Sequence, residues 1–171
     1  MGSDIDGEAA ADDISGSAVS LSSDGLTVAI GAHRNDANGE NSGHVRVYKF
    51  ESVNSVWLQM GSAIDGEAKF DSSRVAVSLS SDGLTVAIGA HWDNGNGVNS
   101  GHVRVYKFES VNSVWLQIGS DIDGEAAYDY SGRVVSLSSD GLTVAIGAIG
   151  NDANGSDSGH VRVFKLESNE K

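Results

Sequence analysis

Ser20-Leu-Ser-Ser-Asp-Gly-Leu-Thr-Val-Ala-Ile-Gly-Ala32 returns without a change as Ser78 to Ala90, and again as Ser136 to Ala148. Further out, Gly43-His-Val-Arg-Val-Tyr-Lys-Phe50 returns as Gly101 to Phe108. It returns a third time as Gly159 to Leu166, with Phe164 in place of Tyr48 and Leu166 in place of Phe50. The spacing is 58 residues. A fixed period of this length marks one supersecondary unit that cannot bury its apolar face alone and must stack on its own copies.

Within each copy the apolar residues alternate with period 2, and no window keeps helical spacing. Val75, Val77 and Leu79 alternate with Arg74, Ala76 and Ser78, which predicts a first strand A. Ser81-Asp82-Gly83 then supplies a tight hairpin turn, since Gly accepts the positive φ such turns need. Leu84, Val86 and Ile88 make one face of strand B. Thr85, Ala87 and Gly89 make a small-residue face that a neighbouring sheet can approach closely, so both faces of strand B are expected to be buried. After a loop of Asn, Asp and Gly, Gly101 to Phe108 forms strand C, with Val103 and Val105 on one face and Arg104, Tyr106 and Phe108 on the other. Val114-Trp-Leu-Gln117 is a short strand D. Gly119 to Ala126 reads as a crossover, too polar and Gly-rich for a strand.

The fold expected from this pattern is all-β. It consists of β-propeller-type blades in three repeats of four antiparallel strands each, the third lacking its outer strand, and so a partial propeller. A single-sheet meander competes with it but would leave the second apolar face of strand B in water. The repeats run over 1–59, 60–117 and 118–171, each a crossover followed by a blade. The chain opens in mid-pattern, as a piece of a longer array would. Closed propellers have roughly four to eight blades, so self-association is expected, a six-bladed homodimer being one form of it.

Eleven Lys and Arg against 24 Asp and Glu give a net charge of −13. That charge repels phosphate backbones and anionic membranes, which argues against nucleic acid as a partner. The absence of cysteine excludes disulfides, thiolate catalysis and Cys-ligated zinc. No apolar stretch approaches the roughly 20 residues of a membrane span, so membrane insertion is not expected. Met1 to Asp6 has neither the basic start nor the apolar run of a signal peptide.

Val28-Ala-Ile-Gly-Ala32, an Asp/Asn/Gly loop, and Ser42-Gly-His-Val-Arg-Val-Tyr-Lys-Phe50 together resemble the FG-GAP repeat of integrin-α-like propellers. The Trp of Val-Trp-Leu-Gln, the Asp-Gly-Glu-Ala stretch and the Ser-Gly before strand A fit the same repeat. The resemblance implies a propeller, a role in adhesion or ligand binding, and an extracellular or cell-surface location. Fold-level likeness does not fix a function. The chain also departs from the family pattern. The Phe-Gly pair is represented by Ser15-Gly16, Ser73-Arg74 and Ser131-Gly132, and the Gly-Ala-Pro by Gly31-Ala32-His33, Gly89-Ala90-His91 and Gly147-Ala148-Ile149. The family's calcium loop before strand B is reduced to Ser-Ser-Asp-Gly, so calcium does not carry over to that position.

The loop between strands B and C varies most: Arg34 to Asn41, Trp92 to Asn99 and Gly150 to Asp157. Variable loops on a fixed scaffold are where contacts are displayed. Arg34, Asp36, Trp92, Asp93, Asp152 and Asp157 are the candidate ligand-binding residues. Asp36 with Asn38, or Asp152 with Asn154 and Asp157, could offer oxygens to calcium, against the simpler alternative of plain surface turns. No other cofactor is indicated. Asp4-Ile-Asp-Gly-Glu8, repeated as Asp121 to Glu125, is a second acidic cluster that could hold calcium with Asp13 or Asp129. Ala63 interrupts it in the middle copy, and a crossover turn is the simpler account. His44, His102 and His160 recur at the head of strand C and read as packing or hydrogen-bonding groups. His33 and His91 become Ile149 in the third copy. Trp57 and Trp115 read as outer-strand packing. No motif brings a nucleophile, a base and an oxyanion group together. The expectation is therefore a non-enzymatic protein- or glycan-binding module of adhesion type working through the B-to-C loops, with a ligand-free structural array as the alternative.

Overall fold

The Ser-Ser-Asp-Gly stretches do turn the chain back on itself, and by one repeated device. In the computed structural model, which describes residues 1–8, 12–69 and 75–166, Asp24 Oδ1 accepts from the Ser22 hydroxyl at 2.6 Å and from the Leu26 amide at 2.9 Å. Ser22 Oγ in turn accepts from the Thr27 amide at 2.9 Å. Asp82 with Ser80 and Leu84, and Asp140 with Ser138 and Leu142, repeat the pattern. Hydrogen bonds from the serine hydroxyl and then from the leucine amide hold the Asp24 and Asp140 carboxyls below their ordinary range.

The first sheet holds β1 (Ser15–Leu21), β2 (Thr27–Ala32), β3 (His44–Glu51) and β4 (Val56–Gln59) in that order, with the two-residue β5 (Ile64–Asp65) also on β3. The second repeats it as β6 (Val75–Leu79), β7 (Thr85–Ala90), β8 (His102–Glu109), β9 (Val114–Gln117) and β10 (Ile122–Asp123). The third has three strands, β11 (Ser131–Leu137), β12 (Thr143–Ala148) and β13 (His160–Lys165). The strand pairings among the described residues are antiparallel, and the register repeats: Val28 faces Tyr48, Val86 faces Tyr106 and Val144 faces Phe164. Ser73 and Arg74, expected at the start of strand A, lie outside the described residues.

β5 and β10 correct the expectation that the crossover carries no strand. β4 pairs only with Tyr48 to Glu51, leaving the edge of β3 open at His44 and Val45, and Asp65 and Ile64 fill it. An unpaired strand edge has backbone groups to satisfy, and the passing crossover satisfies them. The crossover thus serves two blades at once. Ile64 and Asp65 pair with the first sheet, while the Met60 carbonyl accepts from Trp115 Nε1 of the second at 2.7 Å. The sheets therefore span Ser15–Asp65, Val75–Asp123 and Ser131–Lys165, across the sequence divisions at 59/60 and 117/118.

The sheets stack face to face as propeller blades. Ala29, Val45 and Val47 of the first pack on Leu79 and Val86 of the second, and Met60 and Ile64 of the crossover belong to the same buried cluster. Ala87, Val103 and Val105 of the second pack on Leu137, Val144 and Ile146 of the third. Val86 and Ala87, on opposite faces of β7, are both fully buried, as the two-faced pattern of strand B predicts. Each fully buried valine contributes roughly 1.5–3 kcal/mol. The inner strands β1 and β11 carry a register shift, between Ser15 and Ala18 and between Ser131 and Val134. That bulge bends Gly132, at φ +85°, against the small face of the preceding blade, where its Cα comes close to Gly89.

A Cβ added at Gly89 would run into the Gly132 carbonyl oxygen, whereas at Gly31 it would meet Val75 at an ordinary 3.4 Å. Gly89→Ala should therefore lower unfolding stability by roughly 1–3 kcal/mol and Gly31→Ala by clearly less. Urea unfolding of the two variants checks this, and equal losses would contradict the close approach.

Candidate functional site

The B-to-C loops are built from side chains that close on their own backbone. Asp36 Oδ1 accepts from the Asn41 amide at 2.7 Å and Asp152 Oδ1 from the Asp157 amide at 2.7 Å. Asn38 donates to the carbonyls of Gly66 and Glu67 at 2.9 and 3.1 Å, tying its loop to the next crossover. Asn35 donates to Asp13, and Asn151 to Asp129. These bonds account for the Asp and Asn content of the loops as turn chemistry. Arg34, Asp36 and Asn38 are exposed on the first loop, and Asp152, Asn154 and Asp157 on the third. The structure does not bring the two sets together. Asp129 turns toward Asn151 and the Ala126 amide, away from Asp121 and Asp123.

The second blade departs from this scheme. Where its neighbours have Asn35 and Asn151, it has Asp93, buried, whose Oδ1 lies 3.1 Å from His102 Nδ1 and accepts from the Gly95 amide at 2.7 Å. Burial alone pushes the Asp93 carboxyl up, but the bonds from His102 and Gly95 outweigh it and hold it below its ordinary value. A ring nitrogen of His102 and one oxygen each of Asp121 and Asp123 lie within 4.8 Å of one another. Asp123 faces His102 across the β8–β10 pair, and Gln117 donates to Asp121 at 2.6 Å. Among the described residues this is the one such grouping, a nitrogen and oxygen donor set of a kind that divalent cations take. An imidazole oriented by a carboxylate is typical of such sites. In the first blade Asn35 and Ala63 replace two members. His44 is buried there, and burial first, then Arg46, lowers its pKa.

A different convergence lies at the propeller axis. Ser17 of β1, His33 beyond β2, Val75 of β6, and Arg133 and Val134 of β11 line a cleft of about 390 Å³. Arg133 also borders a second hollow of about 230 Å³ with His91, Trp92, Asn99, Tyr130 and Ile149. Its Nη1 lies 3.3 Å from Nε2 of the buried His91, whose ring meets Tyr130 and Trp92 edge-on. The β11 bulge sets this direction, since Arg133 follows Gly132 where the register shifts. Ser17 donates to the Gly31 carbonyl at 3.0 Å. Of the sequence candidates, only Trp92 lines either hollow.

Sequence reasoning gives Arg133 no role, reads His102 as a packing or hydrogen-bonding group, and offers Asp121 and Asp123 to calcium only together with Asp129, so it does not bring His102 and these two carboxylates to one site. The signal for Arg133 was present: its repeat counterparts are Ser17 and Val75, so one inner strand alone carries a charge there. The signal for the second blade was the coincidence of Asp93 with Asp121, where the first blade has Asn35 and Ala63.

A family model described as FG-GAP repeat matches residues 5–48 and 122–164, just over half of the chain. No curated protein matches the chain. Among solved structures it is similar to a periplasmic gluconolactonase of Pseudomonas aeruginosa, at 16% identity and a TM-score of 0.56, over 88% of this chain and 39% of that one. It is also similar to a candidate 6-phosphogluconolactonase of Bacteroides uniformis, at 10% identity and a TM-score of 0.42, over 90% of this chain and 54% of that one. The chain spans less than two thirds of either protein's length. Likeness at these identities is a likeness of fold. It nevertheless corrects the expectation of a non-enzymatic binding and adhesion module, because the solved propeller it shares a fold with is an enzyme. Neither the adhesion role nor the integrin-α likeness finds support in these matches.

With its folded-state value below the ordinary 3.8, Asp93 adds stability that is fully present above that pH and is lost as pH falls through the folded value. Asp93→Asn should cost on the order of 1 kcal/mol at neutral pH. The gap to the parent should shrink on acidification below pH 3.8, in urea unfolding measured across pH. A pH-independent gap would contradict the His102–Asp93 pairing.

Proposed function

The chain belongs to the FG-GAP repeat family, and on that premise we propose that it is a propeller segment whose axial cleft binds a small polyhydroxylated carboxylate or its lactone. The observation that carries this reading is the convergence of Arg133 with His33 and Ser17 in a cleft of about 390 Å³ where the inner strands of three blades meet. The guanidinium of the half-buried Arg133, which lines the cleft together with Val75 and Val134, can make charge-assisted, bidentate hydrogen bonds to a carboxylate or donate to a lactone carbonyl. His91, 3.3 Å from Arg133, and the rings of Tyr130 and Trp92 border the adjoining hollow, where a polyhydroxylated tail could extend.

The chemical class is borrowed from the gluconolactonase that shares the fold. The ligand-binding groups belong to this chain. Ser17 is committed to the Gly31 carbonyl and serves as wall and donor, not as a nucleophile. Ring opening by the intact assembly would call on water, with Arg133 steadying the oxyanion that develops on the carbonyl oxygen.

Titration with gluconate and with glucono-δ-lactone, followed by calorimetry, tests this. Arg133→Ala should weaken gluconate binding about tenfold or more, with Trp57→Phe, on the outer strand, unchanged. Equal affinity in the parent and Arg133→Ala, or no binding of either compound, would sink the proposal.

A further inference from the structure

The two end faces of the stack are made of the residues that build its internal interfaces. Val103 and Val105 of the second blade are 0% and 1% exposed beneath the third, whereas their counterparts Val161 and Val163 on the last blade are 68% and 65% exposed. At the other end Val19 and Leu21 are exposed, while Leu79 and Leu137, the counterparts of Leu21, are buried against the preceding blade. Each end therefore presents half of an interface that the chain itself forms twice.

The backbone at these ends already has the shape that an interface requires. Gly16 takes φ +86° with nothing near its Cβ position, while Gly132, at φ +85°, uses the same conformation to lie against Val103 and Gly89. Gly25 likewise stands in open space, while Gly83 and Gly141 press on Thr27 and Thr85. The turns are linked in series: the Ser23 amide donates to the Ser81 carbonyl and the Ser81 amide to the Ser139 carbonyl, each at 3.0 Å. Ser20 Oγ accepts from the Leu79 amide and Ser78 Oγ from the Leu137 amide, at 3.0 and 2.9 Å. The next members of both series are Ser139 N with a Ser23 carbonyl, and Ser136 Oγ with a Leu21 amide. Ile5 already packs by Val28, Ile30, Tyr48 and Trp57, as Ile64 does at the first interface, so the first blade's face carries its crossover ready-seated.

We propose that a second copy of this chain docks head to tail, its first blade on the third blade of its partner, and that the two copies close as a six-bladed ring. Val161 and Val163 then meet the second copy's Val19, Leu21 and Val28 as Val103 and Val105 meet the third blade. Ile5 and Asp6 of one copy pair with Val161 and His160 of the other, as Ile64 and Asp65 pair with Val45 and His44. Asn154 reaches the Gly7 and Glu8 carbonyls as Asn38 reaches those of Gly66 and Glu67. A twofold axis along the propeller axis makes both junctions equivalent, and six blades fall inside the roughly four to eight that close.

Light scattering coupled to size exclusion tests this on the 171-residue chain. The expected mass is twice 17.7 kDa. Val163→Asp and Leu21→Asp alter side chains exposed in a single copy, so each should keep the parent's circular dichroism and run as a monomer. Mixing the two variants should restore a dimer, since one unaltered first-blade face and one unaltered third-blade face remain. A monomeric parent at hundreds of micromolar, a dimer that survives both substitutions, a mixture that stays monomeric, or an open-ended ladder of oligomers would each overturn the head-to-tail ring.

Discussion

Close approach between neighbouring sheets is the constraint on which the molecule depends. Strand B of the second blade turns Thr, Ala and Gly toward the third blade and Val and Ile toward the first. Two sheets can then interlock without a gap, small face against large. At the second junction the fit tightens until two glycine backbones touch, Gly89 against Gly132. The inner-strand bulge that permits this also aims Arg133 along the axis. Packing, cleft and candidate ligand group are thus consequences of one steric fact. The Asp-Gly turns support it from outside, since their amides and carbonyls link one blade to the next.

On this scaffold, differences among copies carry more information than the shared residues. Three nearly identical strands at the axis would give a featureless wall. Ser17, Val75 and Arg133 instead make it polar on one side, apolar on another and cationic on the third. The same logic singles out the second blade, where Asp93 orders His102 beside Asp121 and Asp123, while in the first blade Asn35 and Ala63 stand in place of two of these carboxylates around the buried His44. The loops, by contrast, vary in sequence yet mostly spend their polar groups on closing themselves.

Strands A to D, the hairpin turns and the two-faced burial of strand B were legible because alternation and turn chemistry are local properties. β5 and β10 were not, since two residues carry no period and their pairing depends on where β4 and β9 happen to stop. The loop residues Asp36 and Asp152 were visible as acidic side chains, but whether such a carboxylate faces solvent, an ion or its own backbone is decided by turn geometry. Arg133 was missed for a related reason. Its importance comes from three strands, distant in sequence, meeting at one axis, and only stacking creates that meeting.

Amide hydrogen exchange at Ser81 tests the stacking most directly. Ser81 sits in an Asp-Gly turn that in an isolated hairpin would exchange at the rate of an open loop, and in the stack its amide is held by Ser139 of the next blade. Face-to-face blades predict protection at Ser81 comparable to that of the strand amides of β7, with Ser139, which has no following blade within one chain, far less protected in any monomeric fraction. Free exchange at Ser81 while β7 stays protected would mean that the sheets form but do not stack in this way.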